Sequence, residues 1–162
     1  MRWIPLLAMA LLLVPPCLAE APLGQLSLDD AAAIGLRLSA DEAVKVEGES
    51  SLRIETDWPV TINLGAIQQP KLDGGKIVYR AKVRSKLEEG QAHLEMWAHL
   101  KGQQYFSRGL QDPITGESDW QTLEAPFFFE DGQVPDKLTL NLVVQGRGTV
   151  WIDDIVVRRV ER

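Results

Sequence analysis

Gly148-Thr149-Val150-Trp151-Ile152-Asp153-Asp154-Ile155-Val156-Val157 is the stretch whose reading decides the fold. It is rich in β-branched and aromatic residues, the composition of a strand covered on at least one face. Two adjacent acids interrupt it. Neighbouring strand side chains point to opposite faces, so at least one of Asp153 and Asp154 needs a partner. A carboxylate buried alone costs several kcal/mol unless it is hydrogen-bonded, ion-paired or bound to a cation.

Working outward, other segments show the two-residue period of half-buried strands. Leu138, Leu140, Leu142 and Val144 share one face of 137–145, and Leu94, Met96, Ala98 and Leu100 share one face of 93–100. Tyr79, Ala81 and Val83 form a third inward row, and Leu52 with Ile54 a fourth. Shorter candidates run over 60–64, 104–107 and 121–129. Turn signals lie between them: Asp73-Gly74-Gly75, Glu88-Glu89-Gly90, Lys101-Gly102, Asp112-Pro113, Asp131-Gly132 and Gly146-Arg147-Gly148. Lys101-Gly102 is short enough to join two neighbouring strands as a hairpin. No long helical period competes with this pattern. Asp29 to Ala33 alone reads as one or two helical turns. The expectation is an all-β, antiparallel two-sheet sandwich in a single domain.

Composition narrows the function. The chain has 162 residues, a formal charge of −6 and one cysteine. Arg2, the apolar run from Ile4 to Val14 and the small residues at Cys17-Leu18-Ala19 read as a signal peptide over residues 1–19. The domain is then 20–162, exported to the periplasm or the extracellular space. A lipoprotein anchored through Cys17 is the alternative. The apolar run is too short to span a bilayer, so no transmembrane segment is expected in the mature chain. Without Cys17 there is no disulfide, thiolate nucleophile or cysteine metal site. An acidic chain without a basic stripe argues against nucleic-acid partners.

The ordered segments resemble the jelly-roll domains of the galactose-binding-like superfamily, which includes many carbohydrate-binding modules of secreted glycoside hydrolases. Glu47-Gly48-Glu49-Ser50-Ser51-Leu52-Arg53-Ile54, Tyr79-Arg80-Ala81-Lys82-Val83-Arg84 and Asp119-Trp120-Gln121-Thr122-Leu123 carry the likeness. So do Lys137-Leu138-Thr139-Leu140-Asn141-Leu142 and Trp151-Ile152-Asp153-Asp154-Ile155, in order, across residues 44 to 158. The resemblance implies a jelly roll and, at one edge, a structural calcium held by an acid of the closing strand. Only Asp153 or Asp154 matches that acid, with Glu47 and Glu49 in the region of the remaining ligands. The alternative is that these acids accept loop amides or pair with an arginine such as Arg53.

A binding surface follows from parity. If Leu94, Met96 and Ala98 enter the core, then His93, Glu95, Trp97 and His99 line the opposite face. An indole plane beside carboxylates and amides suits the apolar face and hydroxyls of a sugar ring. Arg80, Lys82, Thr139, Asn141 and Gln145 have matching polar parity. If the strands pair as in the resembling modules, they share the concave sheet with Trp97. Tyr105 is a further candidate at the mouth of that sheet, and Trp58 an exposed platform in a loop. The histidines are six residues apart, roughly 20 Å on one strand, too far to share a metal ion.

Trp97, Glu95, Arg80, Asn141, Gln145 and Tyr105 are therefore the expected ligand contacts, for a saccharide or another envelope component. No catalytic elbow, phosphate loop or zinc motif is present, so the chain is read as a binder and not an enzyme. Two other readings stay open. One is a protein-interaction or envelope-assembly module docking through the Phe127-Phe128-Phe129 run. The other is a small glycoside hydrolase, which requires two carboxyl groups in one cleft.

Overall fold

A computed structural model describes residues 23–26 and 38–160. The expected signal peptide, Cys17 and the helical turns expected at 29–33 lie outside the described residues. Eight strands follow in order: β1 (Gly24–Leu26), β2 (Leu38–Asp41), β3 (Ser51–Thr56), β4 (Val60–Gln68), β5 (Gly75–Leu100), β6 (Gln103–Arg108), β7 (Ile114–Phe129) and β8 (Lys137–Val160). Every pairing is antiparallel.

β5 and β8 form the frame. They pair with each other from Lys76↔Val160 to His99↔Lys137, yet their outer neighbours change partway along. β7 flanks β5 from Gly75 to Ala92, whereas β6 flanks it from Glu95 to Leu100. Likewise β3 and β1 flank the 148–157 part of β8, whereas β4 flanks its 137–144 part. The ribbon is thus bent over on itself, with each half in a different layer. The first layer runs β2, then β3 with β1, β8, β5, β7. The second runs β4, β8, β5, β6. Between them lies one apolar core, to which Ile54, Tyr79 and Ile152 come from the first layer and Leu94, Met96 and Leu140 from the second. This is the expected two-sheet jelly-roll sandwich, its layers hydrogen-bonded into one network through the two long strands.

Three glycines permit the bend. A methyl group at Gly90 would overlap the carbonyl oxygen of Gln145, and one at Gly146 that of Glu89. At Gly148 it would strike the carbonyl of Lys86. The two backbones cross here too closely for any side chain. The sequence expectation of turns at 88–90 and 146–148 is corrected accordingly: both are bends inside continuous strands. Glycine marks close backbone approach as readily as a reversal, and the local sequence does not separate the two.

Two register irregularities set which residues face outward. Between Leu87 and Glu89, β5 carries an extra residue relative to β8. Its inward row changes there from Ile77, Tyr79, Ala81 and Val83 to Ala92, Leu94, Met96 and Ala98. Opposite Ala81, β8 carries the extra residue, and its inward row passes from Ile152 to Ile155 and Val157. Asp154, at φ 47°, occupies that bulge. The paired acids of the closing strand therefore mark a parity change.

Candidate functional site

The outward face of the second layer carries a groove of about 430 Å³. One wall is the Pro59–Thr61 segment entering β4, and Arg108 of β6 stands in the lining together with His93, Glu95, Trp97 and Gln145. The hairpin turn fixes β6. Lys101 and Gly102 both have positive φ, 48° and 82°, the requirement of a tight two-residue turn. It pairs Leu100 with Gln103 and thereby Trp97 with Phe106 and Glu95 with Arg108.

Glu95 organises the site. It is 5% exposed, and its neighbours across the strands are Arg108 and Asn141. Oε1 accepts the Trp97 indole N–H at 2.7 Å and the Asn141 amide at 3.2 Å, while Oε2 accepts Arg108 Nε at 2.7 Å. Burial pushes the carboxyl upward, but the bonds from Arg108, Trp97 and Asn141 together outweigh it and hold Glu95 below the usual carboxylate range. A buried carboxylate with three donors is a stable anion. It locks the indole in plane and the guanidinium in position.

Trp97 is half-buried, with its ring 5.1 Å from that of Phe106 at a tilt of 41°. Phe106 is 52% exposed, and Arg108 extends over it with the guanidinium carbon 4.7 Å from the ring centre. Phe106 thus backs the guanidinium, and the aromatic ring in the groove lining is the Trp97 indole. His93, 1% exposed, lines the groove with neither ring nitrogen bonded to a described residue. Burial, followed by the charge of Arg108, holds this imidazole below its ordinary value, with Glu95 opposing. The expectation of a surface histidine is corrected, because Arg108 and the β4 entrance crowd around it. His99 stays partly exposed, its Nε2 3.2 Å from Thr139 Oγ1.

Of the expected contacts, the second layer brings together Trp97, Glu95, Asn141 and Gln145. Gln145 accepts from Gln91 at 3.1 Å and lines the groove, and Asn141 donates to Glu95 with its own Oδ1 unbonded among the described residues. Arg80 and Tyr105 lie elsewhere. Arg80 belongs to the first layer, on the far side of the bend, where it pairs with Glu124. Lys82 is with it, bonded to Thr122 at 2.8 Å. Tyr105 faces Ala98 across the hairpin, so its side chain leaves on the face opposite Trp97, where its hydroxyl donates to Gln103. Phe106, Arg108 and the Pro59–Thr61 wall were missed. The signal for the first two was present: a two-residue turn at Lys101-Gly102 places Phe106 opposite Trp97 by counting. Trp58, adjoining the wall, is 57% exposed.

The acids of the closing strand have a different use. Asp153 Oδ2 accepts the amides of Val46 at 2.7 Å and Glu47 at 3.0 Å, and Oδ1 accepts the amide of Asp154 at 2.8 Å. Asp153 thus pins the β2–β3 loop, in agreement with the loop-amide reading. Among the described residues, no group of three or more histidine, cysteine or acidic side chains converges. A calcium ion at Asp153 would have to share a carboxylate already bonded to three amides, and no role is derived from one.

The architecture is an antiparallel two-sheet jelly roll, a fold shared with solved carbohydrate-binding modules. No protein-family model matches the chain, and neither does any curated protein sequence. Among solved structures, it is similar to a family 16 carbohydrate-binding module at 14% identity and a TM-score of 0.53, over 77% of this chain and 87% of that one. It is similar to the CBM22-1 xylan-binding domain of Paenibacillus barcinonensis Xyn10C at 15% identity and 0.53, over 89% and 97%. It also overlays part of the enzymatically active domain of tailspike protein 4 of bacteriophage CBA120, at 9% identity and 0.56, over 76% of this chain and 18% of that one. Identities this low establish a shared fold.

Proposed function

We propose that this chain is an exported, non-catalytic module that binds a saccharide or related polyhydroxylated ligand in the groove of its second layer. One observation carries the reading: the Trp97 indole in the groove lining, fixed by a buried carboxylate beside open polar groups. A pyranose offers one apolar face to such a ring, and its hydroxyls need donors and acceptors at the rim. Gln145, Thr61 and Arg108 supply them. That two of the similar structures are carbohydrate-binding modules supports the same reading.

The other readings have less support. The protein-docking alternative needed an apolar patch at Phe127 to Phe129, but Phe127 and Phe129 stack on each other against the core. Phe128 alone is fully outward, with Lys76 above it. A hydrolase needs a carboxylic acid of raised pKa and a second carboxyl group in one cleft. Among the described residues Glu95 is the single acid lining the groove, and its pKa is lowered.

Binding to a glycan array tests the proposal. Wild type should retain at least one saccharide, and Trp97→Ala should weaken that binding by about tenfold or more, as loss of a stacking ring does. Equal binding by the two proteins would remove the groove from the account.

A further inference from the structure

Arg108 differs from the other arginines of the two layers. Arg53, Arg80 and Arg147 pair with the exposed acids Glu55, Glu124 and Glu88. Arg108 pairs with a buried acid, and through Nε. A guanidinium carries five N–H donors in a planar fork, and the bond to Glu95 engages one of them. Held on one edge by Glu95 and on its face by Phe106, the fork keeps an end of two amino groups available without any reorganisation. Among the described residues, no carboxylate other than Glu95 lies within ion-pair distance of it.

We propose that the groove selects saccharides bearing a carboxylate, the hexuronates, with the acid group in the outer end of the Arg108 fork and the sugar ring on Trp97. This rests on the groove being the saccharide site. Trp97 and Arg108 both line the groove and are both bonded to the Glu95 carboxylate. A pyranose lying on the indole therefore brings a ring substituent to the guanidinium. A planar carboxylate fits that end in a bidentate manner, which a hydroxyl does not. Among the described residues Glu95 is the one anion of the lining. Bonded to Arg108 through Nε, it leaves the outer end of the fork to the ligand, and His93, held below its ordinary value, adds little charge at pH 7. The chain's formal charge of −6 opposes the approach of a polyanion at long range. At physiological ionic strength charges beyond about 8 Å are largely screened, so the local fork decides the bound state.

The test compares four-residue hexuronates of gluco, galacto and manno configuration with their C6 methyl esters by isothermal titration at pH 7. The esters keep the ring and remove the charge. Wild type should bind at least one acid about tenfold more tightly than its ester, the strength of a charge-assisted bond. Arg108→Gln should reduce that ratio to near one. Because this variant leaves Glu95 buried without its ion pair, Arg108→Lys is the companion: it keeps the charge but not the fork, and should leave a ratio of only about threefold. Acids and esters bound equally by wild type, in a manner that Trp97→Ala abolishes, would overturn the uronate proposal and leave the groove in place. Binding of any probe that Trp97→Ala leaves unchanged would overturn both.

Discussion

His93 shows how one residue ties the groove to stability. Its ring is buried, neither nitrogen is bonded to a described residue, and burial, followed by Arg108, holds it below its ordinary value. The unfolded chain takes up this proton at the ordinary value of 6.5, whereas the folded chain resists it. Stability supplied by the neutral ring is therefore full above that value and declines as pH falls toward the lowered folded value. His99, also held down by burial and by Lys137, acts with the same sign. Urea unfolding should show stability falling between pH 7.5 and 5.5, and His93→Leu should flatten part of that slope. Replacing unbonded buried polar atoms by an apolar group is close to neutral, so His93→Leu should match wild type within about 1 kcal/mol at pH 7. An unchanged slope would place the titration elsewhere. Glu95 belongs to a lower range: its depressed pKa contributes stability above the ordinary carboxyl value that is lost as pH falls further.

At the scale of elements, the bent β5–β8 ribbon positions everything. The inward rows were legible because period-two alternation survives inside each half strand, as Leu94, Met96, Ala98 and Leu138, Leu140, Leu142 show. The bends were not legible as bends, since 88–90 and 146–148 carry the same glycines a turn carries. That ambiguity misplaced Arg80: its outward parity is right, but the ribbon carries it to the other layer. Tyr105 failed for a different reason, because the hairpin register was not counted through Lys101-Gly102. Gly146→Ala should cost about 2 kcal/mol or more, because its Cβ meets the backbone of Glu89 and not a movable side chain. Urea midpoints measure this. A loss of only a few tenths would mean that the strands do not approach as closely as described.

For the whole molecule, the sequence resemblance and the overlaid structures agree on a jelly-roll sandwich, and the proposed binding face is the one on the half of the ribbon that carries Trp97. The paired acids that opened the reading belong to the scaffold. Asp153 holds the β2–β3 loop through two long-range amides, so Asp153→Ala should destabilise by about 2 kcal/mol. With the carboxylate satisfied in this way, chelator should leave the melting temperature of wild type unchanged. A drop of several degrees that added calcium reverses would restore the cation reading.

The most direct measurement of the central claim is an amide and indole ¹H–¹⁵N correlation spectrum during titration with the saccharide retained on the array. The Trp97 indole N–H, bonded to Glu95, should shift together with the backbone amides of Phe106, Arg108 and Thr61, while the Trp151 indole, bonded to Asp41 on the other layer, stays in place. Shifts centred on Trp151 or Phe128, with the Trp97 indole unmoved, would contradict the account.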